Sequence, residues 1–381
     1  MRDRRYSIAM LDWLACAARG RGEPAARAAR ELGDAVAFAG TAGHVLDFDD
    51  TYLPGIAHLS ATTAPAALVV AAERGLSVGA ALDAYAEGFE AMAALARASH
   101  PTLYDRGWHP TAVCGGVGAA AAATAVLGGS PDDAVALALA RAGGLRAAFG
   151  SDAKSLQVGL AAATGVDAAR LAAAGARMPL ERAATGFEQA TGGRYAEPAG
   201  GGEAAPGPAV ADNWIKAWPC CLQTHGAIEA ADRLGGDAPE ALLVTVHPVS
   251  LLAAAEGPEP ADGLRAKFSI PYLTAYTLLH GPPTVESFNG VDGQAVERAR
   301  TIEVRADAAL LESEFVLSGG GEELVRVKAA LGSPQQPMDA AALSEKVELL
   351  AGAEFTSVLD DPDRPAAEVL ALAGLSAPAL A

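Results

Sequence analysis

From Tyr6 to about Gly186, apolar residues recur more densely than a single amphipathic stripe requires, and Gly, Pro or His-Pro break the run into segments of helical length. Helices of that kind bury most of their circumference against other helices. One start is spelled out in full. Ser130 stands at the N-cap, Pro131 at the first helical position, and Asp132 and Asp133 in the first turn, where the helix dipole favours carboxylates. A helix is therefore predicted from Pro131 to about Ala142. Ser77 opens a comparable segment through Arg97, with Leu82, Tyr85, Phe89, Met92 and Leu95 or Ala96 at three- and four-residue intervals, the spacing of core packing.

Thr191 to Val210 carries Gly-Gly-Arg, Pro-Ala-Gly-Gly-Gly and Ala-Pro-Gly-Pro and reads as a flexible linker. Beyond it the pattern changes. Residues 241–247, 301–305 and 324–328 alternate apolar and polar positions with β-branched enrichment, the signature of half-buried strands. Phe268 to Leu279 is patterned as a helix, and Met338 to Leu350 and Ala366 to Ala373 return to helix. The expectation is a mainly α chain: a large all-helical domain of residues 1–200 and 334–381, a smaller α+β domain of residues 208–333, and a Gly/Pro-rich linker at 191–210. The sequence shows no internal repeat of fixed period.

Composition sharpens this picture. The 381 residues are 51% hydrophobic but only 5% aromatic, so the apolar content comes from Ala, Val and Leu, which suits packed helices. A net charge of −18 opposes wrapping a phosphate backbone, and no nucleic-acid partner is expected. The same surface repels small carboxylates, so a site for one needs its own cluster of Lys, Arg and His. Cys16, Cys114, Cys220 and Cys221 form no paired framework, which suits a reducing compartment, and no signal peptide is evident at the N-terminus; a cytoplasmic location is expected. The most apolar stretch, Gly115 to Leu127, falls short of the roughly 20 residues a bilayer span needs and is expected to be a buried helix, with no membrane partner.

Polar groups concentrate at a few places. His44, Asp47, Asp49, Asp50, Thr51, His58 and Ser60 crowd a stretch otherwise rich in alanine. On a helix Asp47 and Thr51 would share a face and point together into a cleft; the same fragment also reads as a helix end with capping aspartates. His109-Pro110-Thr111 precedes the Ala-rich helix, whose N-terminus favours an anion, although such a histidine also serves in turns. The Gly115-Gly116-Val117-Gly118 that follows has no strand before it and no suitably spaced acid after it, which disfavours a nicotinamide site. Lys154 is the only lysine in the first 215 residues, and Lys216 sits between Trp214 and Trp218. A lysine is a compact point charge suited to a carboxylate, or else a surface charge whose stem covers apolar groups. Cys220, Cys221 and His225 lack the partner spacing that zinc sites use, so no metal is expected. No Gly-x-Ser-x-Gly elbow supports a serine hydrolase.

Taken in order, His-x-x-Asp-Phe-Asp-Asp-Thr, His-x-Ser, His-Pro-Thr before an Ala-rich helix, Lys-Ser-Leu-x-x-Gly and Lys-x-x-Pro-Cys resemble the MmgE/PrpD family, which includes 2-methylcitrate dehydratase, cis-aconitate decarboxylase and iminodisuccinate epimerase. The resemblance spans roughly Tyr6 to Leu331. It implies a helical domain with an α+β lid, a homodimer, a site in the cleft between domains, and chemistry without a cofactor. It places family active-site residues on Asp47, Thr51, His58, His109, Lys154, Lys216 and, in the lid, Tyr272. His58-Leu59-Ser60 replaces the family's His-Pro-Ser, and Ala217-Trp218 follows the lid lysine where the family has a basic residue and an aromatic one.

The chemistry so implied moves a proton, water or CO₂ at the carbon next to a carboxylate. Lys154, Lys216 and a protonated histidine would fix carboxylates and spread the developing charge. His58 is expected to transfer the proton, with His109 second, Asp47 orienting or accepting, and Thr51 and Tyr272 hydrogen-bonding the substrate. The leading expectation is a hydro-lyase acting on a small di- or tricarboxylate, with decarboxylation or epimerisation on the same scaffold as the alternative. A non-catalytic helical binding protein is the more distant one.

Overall fold

The computed structural model describes residues 3–198, 207–236 and 238–376. Its first part runs through α1 (Arg4–Gly20), α2 (Pro24–Arg30), α3 (Ala35–His44), α4 (Ser60–Glu73), α5 (Val78–Ser99), the single turn α6 (Thr102–Asp105), α7 (Pro110–Leu127), α8 (Pro131–Leu139), α9 (Ala153–Ala173) and α10 (Leu180–Thr191). Side-chain acceptors decide several of the starts. Ser77 Oγ accepts from the Ala80 N–H and opens α5, and Ser130 Oγ accepts from the Asp133 N–H at 3.2 Å and opens α8. The second helix stops at Leu139, short of Ala142, because Gly143 and Gly144 follow and Gly144 takes φ 130°.

Helix α7 is long and apolar enough to cross a bilayer by composition alone, yet it is mostly buried, against α4, α5, α8 and α9. Small residues let these helices meet backbone to backbone. A Cβ placed on Gly165 of α9 would lie 2.3 Å from the Gly116 carbonyl oxygen of α7, and one on Gly159 2.2 Å from Thr41 Oγ1 of α3. Those two contacts bring the ends of α3, α7 and α9 to one place, where the polar residues collect.

The second part begins with β2 (Asn213–Trp214), antiparallel to β1 (Thr51–Tyr52), and continues with α11 (Leu222–Leu234), β3 (Leu242–Val246), α12 (Pro248–Ala253), α13 (Gly263–Ala266), α14 (Ile270–His280), α15 (Gly293–Ala299), β4 (Ile302–Ala306), β5 (Phe315–Gly319) and β6 (Glu322–Val327). The sheet order is β4-β3-β5-β6, with β3 and β4 parallel and the other pairs antiparallel. The three strands foreseen from alternation are β3, β4 and β6. Central β5 was not foreseen, because Phe315, Val316 and Leu317 are buried in succession and break the two-residue period.

Among the described residues there are two large apolar cores, one among the helices and one beneath the sheet around α11 and α14, and a small cluster of Ala61, Ala112 and Val158. The last helices, α16 (Ala340–Ala351) and α17 (Ala366–Leu372), pack against α1 and α4 and complete the first core. Of the Gly/Pro-rich stretch 191–210, Thr191 ends α10 and Ala209 begins a 3-10 turn, while residues 199–206 lie outside the described residues.

Candidate active site

Helix α3 ends at His44, so Asp47 and Thr51 do not share a helical face as one reading had it. The chain turns instead, with Asp47 at φ 55°, a left-handed conformation costing an L-residue roughly 1–2 kcal/mol. Tertiary contacts hold it there. Lys267 Nζ donates to the Leu46 carbonyl at 2.7 Å, Lys216 Nζ to the Asp47 carbonyl at 2.9 Å, and Lys346 Nζ to the Phe48 carbonyl at 2.9 Å. Three consecutive carbonyls thus each receive an ammonium from a different segment. The chain has five lysines among its 28 basic residues. Four of the five, Lys154, Lys216, Lys267 and Lys346, are buried around this loop. A compact ammonium with three freely directed donors fits between carbonyls where a planar guanidinium would not.

Asp47, Thr51, His58, His109 and Lys154 line one cavity of about 40 Å³ whose other walls include Leu53, Ile56, Tyr104, Phe149, Leu222 and Phe268. Among the described residues, the non-glycine residues with left-handed φ are Asp47 and Ile56, and both line it; strain of this kind persists where the surroundings over-determine the backbone. Asp47 Oδ1 meets Lys154 Nζ at 2.9 Å and Lys216 Nζ at 2.8 Å, with His58 Nε2 3.9 Å away. Burial pushes the Asp47 carboxyl up, but Lys154 and Lys216 more than offset this and hold it well below the usual range. It is an anion. Its Oδ2 and the Thr51 hydroxyl are buried without hydrogen-bond partners, which leaves an acceptor and a donor for a bound molecule. Lys154 also lies 5.5 Å and 5.3 Å from the ring centres of Phe149 and Phe268, which confine its stem.

The two cavity histidines are set in opposite tautomers. His58 Nδ1 lies 3.1 Å from Asp49 Oδ2, an oxygen that also meets His44 Nδ1 at 2.9 Å. The contact with His58 is a charge-pair distance without hydrogen-bond alignment, and the attraction of that carboxylate favours the proton of neutral His58 on Nδ1 and a lone pair on Nε2. Burial pushes the His58 imidazole down to about 4, against the pull of Asp49, so it is neutral near pH 7. His109 differs. Gln157 Nε2 lies 2.6 Å from His109 Nδ1, and the amide is oriented by the Leu145 N–H donating to its Oε1 and by its own donation to the Leu145 carbonyl. His109 Nδ1 is therefore the acceptor and Nε2 carries the proton. Burial holds His109 well below its ordinary value, so it too is neutral. One imidazole offers a lone pair and the other an N–H.

Not every residue singled out in the sequence faces the cavity. Lys216 stands behind Asp47, its three donors taken by the Asp47 carbonyl, Asp47 Oδ1 and the Cys220 carbonyl, so it holds the aspartate and leaves no N–H for a substrate carboxylate. Tyr272 does not line the cavity either. It is buried in the lid core, and its hydroxyl accepts from the Asp292 N–H at 2.9 Å, which corrects its expected contact with substrate. Conversely, Asp49, His44, Gln157, Lys267 and Lys346 shape the site although no sequence motif marks their roles. The density of charge around residue 47 and the scarcity of lysine were the available signals.

His44, Asp49 and His58 offer three ligand-type atoms within 4.8 Å of one another. Both Nδ1 atoms lie near the same carboxylate oxygen, while Asp49 Oδ1, His44 Nε2 and His58 Nδ1 are buried without hydrogen-bond partners. Cys220 Sγ lies 3.2 Å from Thr224 Oγ1, and His225 faces the Trp218 ring. Burial pushes the Cys221 thiol in the cavity wall up to about 11, which keeps it protonated and a poor nucleophile.

Comparison with known proteins adds to this geometry. Residues 31–195 match the MmgE/PrpD N-terminal domain and residues 218–371 the MmgE/PrpD C-terminal domain. The cis-aconitate decarboxylase of Aspergillus terreus is 29% identical over 280 residues, 65% of this chain and 57% of that protein. The cis-aconitate decarboxylase of Homo sapiens is 31% identical over 280 residues, 66% of this chain and 56% of that protein. The chain spans about half the length of the curated relatives it matches.

Proposed function

Because the chain belongs to the MmgE/PrpD family, we propose that it is a lyase that removes water from a small carboxylic acid by taking a proton from the carbon beside a carboxylate, without a cofactor. The observation that carries this reading is the neutral His58, with its Nε2 lone pair free and Asp49 behind its Nδ1–H. A base of this kind is ready to accept a proton, and Asp49 then faces the imidazolium that forms. As the C–H bond breaks, its electron pair forms the new double bond and the C–O bond on the neighbouring carbon breaks. The hydroxyl leaves with the proton returned by His58, which ends neutral. Charge that develops on the substrate carboxylate is met by the Lys154 ammonium, the His109 Nε2–H and the Thr51 hydroxyl, all on the cavity wall. Asp47 Oδ2 is the acceptor for a substrate hydroxyl.

A cavity of about 40 Å³ holds little more than a few water molecules, so the lid has to lift before an acid of four to seven carbons enters. A second reading, decarboxylation, draws support from the names of the relatives. It needs a proton donor to quench the carbanion left by CO₂, a part that would fall to the Lys154 ammonium or the His109 Nε2–H, since His58 is neutral with its lone pair on Nε2. Proton NMR of incubations with 2-methylcitrate, citrate and cis-aconitate in deuterated water tests the choice. The proposal expects an olefinic product from a hydroxy acid, lost in His58→Ala. Release of CO₂ from cis-aconitate as the main activity would replace it with the second reading, and inertness toward every acid would overturn both.

A further inference from the structure

The proton-transfer reading uses Asp47, Thr51, His58, His109 and Lys154, yet another buried ammonium, Lys267, touches the same loop and reaches no substrate. It does not line the cavity. Its Nζ donates to the carbonyl of Leu46, the residue immediately before left-handed Asp47, and lies 5.3 Å from the Phe288 ring centre. Lys267 belongs to the lid, between α13 and α14, whereas Leu46 belongs to the helical part. The next residue, Phe268, forms part of the cavity wall and lies 5.8 Å from Phe149, ring over ring. One dipeptide of the lid therefore both closes the cavity and grips the backbone that presents its aspartate.

We propose that Lys267 is a positioning residue that makes the productive placement of Asp47 conditional on lid closure. This rests on the proton-transfer reading of the site. Lifting the lid to admit an acid pulls Lys267 from the Leu46 carbonyl, which loosens the loop at the point where its backbone is strained. Closing the lid restores the contact and re-forms Asp47, so the charged centre is assembled only around enclosed substrate. The neighbouring clamps are anchored to the helical part: Lys216 follows β2, which pairs with β1, and its carbonyl accepts from Lys346 of α16, which also pairs with Asp12 at 2.5 Å.

The test compares wild type, Lys267→Met, and Lys328→Met as a control at an exposed lysine remote from the loop. Hydrogen–deuterium exchange of residues 45–50 is expected to quicken by about tenfold in Lys267→Met, with α7 and α9 unchanged. On an acid that the wild type converts, kcat is expected to fall by about tenfold with KM altered by less than about threefold, because a displacement of the aspartate harms the reaction more than ground-state binding. Lys267→Gln, which keeps an N–H donor, should recover part of kcat. A rise in KM at unchanged kcat would make Lys267 a substrate ligand and overturn the proposal; unchanged exchange would also overturn it. If the wild type converts no acid, the proton-transfer reading fails, and the exchange comparison still decides whether Lys267 holds the loop.

Discussion

Positive charge does different work on the outside of this molecule and in its cleft. Outside, arginines pair with acids in water: Arg170 with Glu73 at 2.8 Å, Arg300 with Glu259 at 2.9 Å, Arg326 with Glu323 at 2.6 Å. Exposed pairs of this sort are screened by water and contribute little to stability. In the cleft, lysines are buried and donate to carbonyls as much as to carboxylates, with Lys216 spending two of its three donors on backbone. The lesson is that the cleft ammoniums fix a backbone shape, and the charge they bring keeps Asp47 ionised as part of the same contact.

That contrast can be broken at several strengths. Lys216→Met leaves the Asp47 carboxylate in the interior without one of its two ammoniums, and a loss of roughly 3–5 kcal/mol in chemical denaturation is expected. A loss below about 1 kcal/mol would put the cleft lysines on the same footing as the surface arginines. Acid comes next. His58 holds its proton only below about 4 when folded, against an ordinary value near 6.5 when unfolded, so the unfolded chain binds more protons between these values. Stability therefore falls as pH drops from about 6.5 to 4, by about 3 kcal/mol from His58 alone. The depressed His44, His109 and His225 act in the same sense, while Asp50 and Asp12, whose carboxyls burial pushes up, oppose it. In denaturant titrations across that range, His58→Gln should flatten the dependence; an unchanged slope would contradict the buried neutral imidazole.

Smaller effects sharpen the picture. Asp49→Asn removes the carboxylate that sets the His58 tautomer, and a fall of roughly a hundredfold in kcat is expected with KM little changed. Gln157→Leu frees the His109 tautomer without removing charge, and about a tenfold loss of kcat is expected from steady-state rates. Arg170→Ala should cost less than about 0.5 kcal/mol, the mark of an exposed pair.

Much of the scaffold was legible because its signals are local. Ser77 and Ser130 announce the helices they cap, and the alternation of Leu242 to Val246 announces a strand whose one face is buried. Central β5 was not legible, since Phe315 to Leu317 is apolar without alternation, and a short apolar run carries no period. In the site, the residue types at 47, 51, 58, 109 and 154 could be named in advance and the cavity brings them together, whereas their states could not. The left-handed turn at Asp47 comes from ammoniums about 170, 220 and 300 residues away in the chain, and no pattern near residue 47 encodes it. Tautomers likewise depend on partners, Asp49 for one histidine and Gln157 for the other, that only the fold brings within reach.

The central claim is that two neutral imidazoles face one cavity in opposite tautomers. Long-range proton–nitrogen correlation spectra of histidine-labelled protein at neutral pH, assigned with single His→Gln variants, read this directly and need no substrate. His58 is predicted to be neutral with its proton on Nδ1, and His109 neutral with its proton on Nε2. A charged imidazole at either position, or the same tautomer at both, would contradict the account.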